Sequence, residues 1–474
     1  MTTAARPPAL RTTSAIAPTP ILPVGQHAHR NAVESLLDSY GAIPRGETVR
    51  LAKPTSNLFR PRASVQMPGL DVRGLGGVIA IDPEARTADV QGMCRYEDLV
   101  SATLRHGLMP YVVPQLRTIT LGGAVTGLGI ESTSLRHGLP HGSVLELDVL
   151  TGGGEIVTAS PDEHADLYRG FPNSYGTLGY ATRLRISLEK VHPYVALRHV
   201  RFDDPEALAD AVSRIAADGS WDGEPVDFVD GTMFGIGEAY LTLGRWADSA
   251  ESPSDYTGDR IYYRSIRERS TDVLTVHDYL WRWDTDWFWC SRAFGVQNPR
   301  VRRIWPRRWR RSDVYHRLVG LENRYGVAAR VDAWRGKPPR ERVVQDVEIP
   351  VERTAEFLRW FAKEVGMSPV WLCPLRVSDG AWPLYPLEPG LVYVNVGFWG
   401  TVPIAEGGVD GDLNRMIEAK VAELDGHKSL YSDAYYDEAE FWAAYGGDTY
   451  HALKRTYDPD GRLLDLYQKV IQRR

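Results

Sequence analysis

One long run rich in glycine, threonine and serine, QLRTITLGGAVTGLGIESTSLRHG at residues 115–138, constrains the fold more than any other feature. It lies between two strand-like segments and gives up much side-chain packing. A soluble chain keeps such a run where backbone must approach another group closely, because glycine has no Cβ. The run therefore predicts a backbone surface that faces a ligand.

The overall composition is that of an ordinary globular protein. The chain has 474 residues, of which 43% are hydrophobic and 24% charged, with a formal net charge of −6. This length predicts two domains, and the acidic balance argues against a nucleic-acid partner. Three separated cysteines, Cys94, Cys290 and Cys373, form neither a disulfide framework nor a metal pattern. We therefore expect a reduced, cytoplasmic setting and no metal.

The order of helical and strand-like segments predicts an α+β protein of two lobes. Residues 1–25 are rich in Pro, Thr and Ala and are expected to be a disordered tail, neither a signal peptide nor a membrane anchor. Short strands follow a helix that begins near Gln26, and the pattern of strand-like and helical segments changes near Ala196. Sheet strands alternating with two amphipathic helices after that point predict an α+β cap domain.

Two common nucleotide-binding motifs are absent from the glycine run. A dinucleotide fold needs G-x-G-x-x-G, but Ser132 stands where a glycine would follow Gly127 and Gly129. A Walker loop is also missing. Three loops instead suit one extended ligand: LAKPTSNLFRPR, where backbone N–H groups, hydroxyls and Lys53 can hold a pyrophosphate, the run itself, and NSYGTLGYATRL.

In this order the three loops resemble the FAD-binding domain of the vanillyl-alcohol oxidase/p-cresol methylhydroxylase (PCMH) superfamily. The segments TSNLFR, TLGGAVTGLGIES, RHGL, GTLGY, VWLCPLR and LYSDAYYDEAEFW are most similar to its diminuto/seladin sterol reductases and bacterial methylene-fatty-acyl reductases. The resemblance implies an FAD lobe over residues 26–195, a cap over 196–427 that covers the flavin, and a C-terminal return to the FAD lobe over 428–474.

The resemblance also implies which residues hold the cofactor. The expected FAD contacts are Lys53, Thr55, Ser56, Asn57, Thr118, Thr120, Gly122, Gly123, Gly127, Gly129, Ser132, Gly176, Leu178 and Gly179. Many members of the superfamily attach FAD covalently through a histidine or cysteine. The first loop here has no histidine and the second has no cysteine, so we expect FAD to be bound non-covalently.

The implied chemistry is reduction of an isolated carbon–carbon double bond, with NADPH as the expected electron donor. The flavin carries the hydride. An unconjugated alkene accepts hydride poorly until protonation gives a tertiary cation, so an acid beside the flavin and a dry pocket are required. The candidate acids are Glu131, His137 and Tyr431. Structural roles in loop bonding or packing stay open for all three.

An arginine-rich segment indicates how a lipid substrate is reached. NPRVRRIWPRRWRR at residues 298–311 holds seven arginines around two tryptophans. Arginine interleaved with tryptophan is typical of an anionic membrane surface, although a solvated arginine face is the alternative. The expected membrane-binding residues are Trp305, Arg307, Arg308, Trp309 and Arg310. The protein is then peripheral on the inner membrane face.

The substrate is expected to be a lipid. Eight lysines among the 55 basic residues leave 47 arginines, a bias that indicates a GC-rich bacterial genome. Such bacteria often lack sterols, which favours 10-methylene acyl chains of phospholipids, reduced to 10-methyl chains, over a sterol side chain. A lipid-modifying methyltransferase is then expected as a pathway partner.

Two alternatives to a lipid reductase stay open. One is an FAD-dependent oxidase or dehydrogenase of a sugar, alcohol or lactone, since TITLGGAV and SLYSDA distantly resemble decaprenylphosphoryl-ribose oxidase. That enzyme carries a lysine after its Leu-Tyr pair, whereas LYSDAYY has none, which argues against simple transfer of its activity. The other alternative is a non-catalytic membrane-binding protein that has kept the fold.

Overall fold

The computed structural model describes residues 22–52, 69–258, 260–325, 330, 334, 336–377, 380 and 382–473. Their strands form a six-stranded sheet, an eight-stranded sheet and a two-stranded ribbon. The strand pairs are antiparallel, and helices flank both large sheets. This mixture of helices and antiparallel sheets confirms the predicted α+β class.

The six-stranded sheet is formed by the first part of the chain. Its strands are β1 (Val78–Asp82), β2 (Thr87–Gln91), β3 (Leu108–Pro110), β4 (Val144–Thr151), β5 (Ile156–Ala159) and β6 (Gly179–Lys190). Their order is β1-β2-β6-β4-β5, and β3 pairs with β6. The accompanying helices are α1 (Gly25–Gly41), α2 (Tyr96–Thr103), α3 (Leu121–Thr126), α4 (Ser134–His137) and α5 (Ala165–Gly170).

Local sequence explains several of these elements. Helix α1 buries Ala32 and Leu36, which lie one turn apart on the same face. After α2, a short 3₁₀ turn ends at Gly107, whose φ of 67° is the left-handed conformation that glycine adopts readily. The run at residues 115–138, expected to be a backbone loop, contains the short helices α3 and α4. Its glycines are thus partly helical.

The eight-stranded sheet is formed by residues 194–428. Its eight strands are β7 (Tyr194–Phe202), β10 (Phe228–Gly235), β11 (Glu238–Ala247), β12 (Thr271–Thr275), β13 (Arg340–Pro350), β14 (Val370–Arg376), β15 (Val392–Pro403) and β16 (His427–Lys428). Between β7 and β10 in the chain, β8 (Ser220–Trp221) and β9 (Glu224–Pro225) form the separate two-stranded ribbon. The order is β12-β7-β11-β10-β14-β15-β13-β16. The helices are α6 (Pro205–Asp218), α7 (Tyr262–Glu268), α8 (Val276–Leu280), α9 (Pro299–Ile304), α10 (Ser312–Tyr325), α11 (Val351–Glu364) and α12 (Asp412–Glu423).

Two amphipathic helices, α6 and α11, cover part of this sheet. Leu208 and Val212 of α6 share one hydrophobic core with Phe357 and Phe361 of α11 and with Val394 of β15. Helix α6 begins after a carboxylate cap, in which the Ala207 backbone N–H donates to the Asp204 side chain at 3.3 Å. These are the two helices that the sequence predicts for the cap.

The C-terminal helices pack against the first part of the chain. They are α13 (Glu438–Ala444), α14 (Gly447–Tyr457) and α15 (Leu466–Val470). The Lys454 ammonium donates to the Thr177 carbonyl at 2.8 Å, and the Tyr450 hydroxyl donates to the Thr177 hydroxyl at 2.9 Å. The predicted domain limits at 195 and 427 stay a prediction, while these contacts connect the end of the chain to the loop before β6. None of the described helices has the length and apolar character needed to cross a bilayer.

Candidate functional site

A cavity of about 400 Å³ draws its walls from the first lobe, the cap and the C-terminal segment. The first lobe contributes residues 114–116, 119–120, 122–123 and 126–130 and a second group at 175–176 and 180–181. The cap contributes aromatic side chains and one carboxylate, and the C-terminal segment contributes Leu464 and Lys469. A cavity of this kind, mostly apolar with a few polar groups, is typical of a cofactor and substrate site.

The glycine wall, formed by Thr120, Gly122, Gly123, Gly127 and Gly129, is built from backbone. The Thr120 hydroxyl caps α3 by accepting from the Gly123 N–H at 3.2 Å. The Gly122 N–H donates to the Gly92 carbonyl at 2.9 Å. A Cβ at position 122 would lie 2.6 Å from that carbonyl oxygen. Glycine at position 122 is therefore required for the packing of the wall against the segment that follows β2.

A basic group lies at another part of the cavity. The Lys469 ammonium donates to the Tyr175 carbonyl at 2.5 Å, beside Gly176 with its left-handed φ of 73°. Arg50 lines the cavity just before the predicted pyrophosphate loop. That loop's residues, Lys53, Thr55, Ser56 and Asn57, lie outside the described residues.

These groups fit an FAD molecule. Lys469 and Arg50 supply positive charge for a pyrophosphate, and the glycine wall and neighbouring aromatic rings suit a flat ring system. Gln115 also lines the cavity, and its side-chain amide bonds toward the buried Glu131 carboxyl, whose pKa it lowers. When bound, FAD would supply hydride transfer.

The aromatic wall consists of Trp287, Phe288, Trp371 and Trp399. The Phe288 ring centre lies 4.4 Å from that of Trp399 and 5.5 Å from that of Trp371. The Trp371 indole N–H donates to Asp230 at 3.2 Å, which fixes its ring. Trp287 and Phe288 both have left-handed φ values, 46° and 57°. Such a conformation is rare for bulky residues and is typical of functional sites.

One carboxylate, Asp346 of β13, lies on the cavity next to Tyr431. The Asn395 amide donates to Asp346 Oδ1 at 3.0 Å, and Tyr431 is hydrogen-bonded to the same carboxyl group. The Trp399 indole N–H donates to the Tyr431 hydroxyl at 2.9 Å. Asp346 keeps some accessible surface, which faces the cavity. Burial of the rest raises its pKa to about 6, although the bonds from Asn395 and Tyr431 lower it.

Sequence reasoning missed Asp346, although the strand sequence held a signal. In RVVQDVEIP, Asp346 and Glu348 flank Val347 in a strand whose other residues from Val343 to Ile349 are apolar except for Gln345. Alternate residues of a strand lie on one face, so two acids on the same face of a buried strand indicate a special site. Burial raises the pKa of Glu348 to about 8, and the Tyr385 hydroxyl donates to it.

Glu131, the first candidate acid, lies behind the glycine wall. Ile130 lines the cavity, whereas the Glu131 carboxylate accepts from the Ser132 N–H at 3.2 Å and lies near buried Arg282 and Asp230. Burial raises the pKa of this carboxyl well above its usual range, while Arg282 lowers it. Its role as an acid stays a prediction.

His137, the second candidate acid, is held away from the cavity lining. Its Nε2 lies 2.9 Å from Glu189, and its ring stacks on Tyr111 with ring centres 4.3 Å apart. Tyr431, the third candidate, lines the cavity. Of the three acids, the structure therefore places only Tyr431 on the cavity surface, within the described residues.

The other predicted cofactor contacts divide into two groups. Those that line the cavity are Thr120, Gly122, Gly123, Gly127, Gly129 and Gly176. Those whose described positions lie elsewhere are Thr118, Ser132, Leu178 and Gly179. Ser132 accepts from the Tyr279 hydroxyl at 2.9 Å, and Leu178 packs fully buried among the C-terminal helices. The Leu178 and Ser132 side chains thus serve internal packing and bonding.

The predicted membrane-binding segment needs one correction. Arg310 is only 5% exposed, and its guanidinium donates to the backbone carbonyls of Thr257, Gly258, Arg302 and Trp305. It therefore stabilises the loop and cannot contact a membrane. Trp305 is half-buried, whereas Arg307, Arg308 and Trp309 are exposed. The neighbouring Ile304 is also exposed, at 80%.

Comparison with known proteins agrees with this site. A family model described as an FAD binding domain matches residues 56–160. The chain is 25% identical to the Delta(24)-sterol reductase of Mus musculus over 67% of this chain and 61% of that protein. It is 24% identical to the Homo sapiens protein over the same shares, and 25% identical to that of Arabidopsis thaliana over 66% and 61%. The chain thus spans about 61% of the length of the curated relatives it matches.

The fold and the family match together define an FAD-binding protein whose cofactor domain is of the PCMH type. Within that class, the chain is similar to proteins named Delta(24)-sterol reductase. The predicted resemblance to a PCMH-type FAD-binding domain and to the sterol reductases is thereby confirmed.

Proposed function

We propose that the protein is an FAD-dependent, NADPH-driven reductase of an isolated carbon–carbon double bond in a lipid. One observation carries this proposal: the glycine wall, the aromatic wall and the hydrogen-bonded pair Asp346–Tyr431 line a single cavity. An alkene needs an apolar surface, a proton and a hydride. Similarity to proteins named Delta(24)-sterol reductase supports the choice of reaction.

The chain's own residues would exclude water and hold the alkene. Trp371 and Phe288 are almost fully buried, and Trp399 presents its ring to the cavity. Aromatic faces also stabilise positive charge, by roughly 0.5–2 kcal/mol per contact. A protonated alkene carries such charge, so the aromatic wall would favour it over the neutral substrate. Tyr431 would hold a proton at its hydroxyl on the cavity surface.

The proposed substrates are 10-methylene acyl chains of phospholipids and, second, a sterol side-chain alkene. Both give a tertiary cation on protonation. The exposed surface patch of Ile304, Arg307, Arg308 and Trp309 supports access from an anionic bilayer, since it combines apolar and cationic side chains. We place the protein in the cytoplasm and peripherally on the inner membrane face. A methyltransferase that forms the methylene group would precede it in the reaction sequence.

Anaerobic half-reactions test the proposal. The purified protein with FAD is mixed with NADPH, and loss of the flavin absorbance is followed. The reduced protein is then mixed with vesicles containing the methylene-acyl phospholipid, a Δ24 sterol or only saturated lipid. We expect the absorbance to return only with an alkene, with the saturated product detected by mass spectrometry. Reoxidation by oxygen or a quinone alone, or a flavin that NADPH leaves oxidised, would support the oxidase alternative.

The same assay tests the surface patch. The double variant Arg307→Glu and Arg308→Glu should slow reoxidation by anionic vesicles at low salt, whereas the rate with detergent-dispersed lipid should stay unchanged. The contribution of each cation near an anionic surface is about 1 kcal/mol. Equal rates with vesicles for the variant and the parent protein would refute membrane access through this patch.

A further inference from the structure

We propose a proton relay in which Tyr431 donates a proton to the alkene and Asp346, the proton source, replaces that proton on Tyr431. This inference rests on the proposed reductase function. Both side chains line the cavity and are hydrogen-bonded to each other. Asp346 is held by the Asn395 amide at 3.0 Å, and Tyr431 by the Trp399 indole at 2.9 Å. The pair is thus fixed in position by two neighbours on β15.

Tyr431 is a poor acid by itself. Burial, with Asp346 close by, raises the pKa of its hydroxyl well above the usual value near 10. If Tyr431 gave up a proton without receiving one, it would leave a phenolate beside a carboxyl group in a site poor in water. A second group must therefore replace the proton as it leaves.

Asp346 is suited to replace it. A group with a pKa of about 6 keeps a protonated fraction near neutral pH and also leaves a stable anion after donation. The Asn395 and Tyr431 bonds would remain to hold that anion. The titratable groups around it are Tyr431, Glu348 two residues along β13, and the buried Cys373 of β14. Glu348 is engaged separately by Tyr385 and Ser429.

The proposed step balances in protons and electrons. The Tyr431 hydroxyl proton forms a C–H bond with the less substituted alkene carbon, and the Asp346 proton replaces it on Tyr431. The π bond breaks, and the more substituted carbon would take the hydride, with its two electrons, that reduced FAD would supply when bound. A solvent proton later restores the Asp346 carboxyl group.

Variants at both positions, with a matched acid as control, test this step. Asp346→Asn keeps the size of the side chain and removes its proton, and Tyr431→Phe removes one hydroxyl. Glu348→Gln is the control, because it removes the ionisable proton of a buried acid on the same strand. We expect NADPH to reduce the flavin in all three variants within about threefold of the parent rate. Reoxidation by the alkene should fall by about 10²-fold or more in the first two variants and stay within a few-fold in the control.

The pH profile separates proton donation from a structural role. In the parent protein, reoxidation should slow as pH rises through about 6, where Asp346 loses its proton. Asp346→Asn should lose this dependence, and Asp346→Glu should restore part of the rate. In the cofactor-free protein, infrared titration should show a carboxyl signal with a midpoint near pH 6 that the Asn variant lacks.

Each outcome decides a particular claim. An Asp346→Asn rate within threefold of the parent rate, or an unchanged pH profile, would overturn the role of Asp346 while the reductase function stands. A parent protein that no alkene reoxidises would overturn the function itself. If Asp346→Asn fails to fold, as judged by its thermal melt, Tyr431→Phe decides: normal reoxidation there would refute the relay.

Discussion

The glycine wall and the aromatic wall of the same cavity are built in opposite ways. The glycine wall is backbone from one short stretch, residues 120–129, held by α3 and by contact with Gly92. The aromatic wall and its acid come from side chains far apart in the chain, from Trp287 to Tyr431. A wall made of backbone contributes to binding through its shape. A wall made of side chains can be changed by single substitutions that leave the rest of the cavity in place. Changes in the first should therefore abolish cofactor binding, and changes in the second should alter the reaction while the flavin stays bound.

The largest expected effect comes from Gly122→Ala. The added Cβ would lie 2.6 Å from the Gly92 carbonyl oxygen, so the backbone must shift. Overpacking of this kind costs about 1–3 kcal/mol, and the displaced wall should no longer hold FAD. The purified variant should be nearly colourless, with a lower melting temperature. Gly41→Ala at the end of α1, where a Cβ meets nothing within 4 Å, is the control and should bind FAD normally. A yellow Gly122→Ala protein would contradict the proposed role of this wall.

The contribution of Asp346, the acid in the aromatic wall, to the stability of the folded protein should depend on pH. The pKa of Asp346 is raised from 3.8 to about 6, so the folded protein binds a proton more tightly than the unfolded chain. The resulting stabilisation is complete below about pH 4 and is lost as pH rises through about 6. Its size is at most about 3 kcal/mol, from 1.36 kcal/mol per pKa unit.

Thermal melts of the cofactor-free protein measure this dependence. Asp346→Asn carries no titrating proton, so its melting temperature relative to the parent protein should rise between pH 4 and pH 7. The melting temperature of Glu131→Gln can be followed over the same pH range for comparison. Burial also raises the pKa of Glu131, whose side chain lies behind the glycine wall. A difference between parent and Asp346→Asn proteins that is constant with pH would show that Asp346 has no raised pKa.

The two walls also differ in how far the sequence predicts them. The glycine wall is contiguous, so its composition and its order among three loops led directly to an FAD lobe. Asp346 gains its surroundings from the pairing of β13 with β15, which brings residue 346 opposite residue 397. That pairing is set by the fold of a domain whose sequence has no comparable motif. Glu131 lies in the glycine run itself, so the sequence indicated Glu131 as a candidate acid and did not indicate Asp346.

Arginines with the same sequence context also differ in the fold. Arg302 and Arg310 belong to the same seven-arginine segment as Arg307 and Arg308. Arg302 is buried and pairs with Asp286 at 2.7 Å, and Arg310 binds backbone carbonyls. Burial of a guanidinium requires partners. For both arginines these include the Gly258 carbonyl, and Arg302 also has Asp286. Composition alone predicts a basic segment and leaves open which of its arginines reach the surface.

The smallest expected effect, from Trp399→Phe, tests whether the walls are separable. Phenylalanine keeps an aromatic ring near Phe288 but removes the indole N–H that donates to Tyr431 at 2.9 Å. One hydrogen bond contributes about 0.5–1.5 kcal/mol, which corresponds to at most about tenfold in rate. Alkene-driven reoxidation should therefore slow by up to about tenfold, while flavin content and reduction by NADPH stay unchanged.

Trp360→Phe on α11, where the partly buried ring packs against the core shared by α6 and α11, is the matched control and should have no effect on either half-reaction. If Trp399→Phe loses its flavin, the aromatic wall also carries cofactor binding, and the division of labour between the walls is wrong. If it keeps both flavin and full rate, the indole bond does not hold Tyr431 for proton transfer. Only slower reoxidation by the alkene, with the flavin still bound, would show that the glycine wall binds the cofactor and the aromatic wall takes part in the reaction.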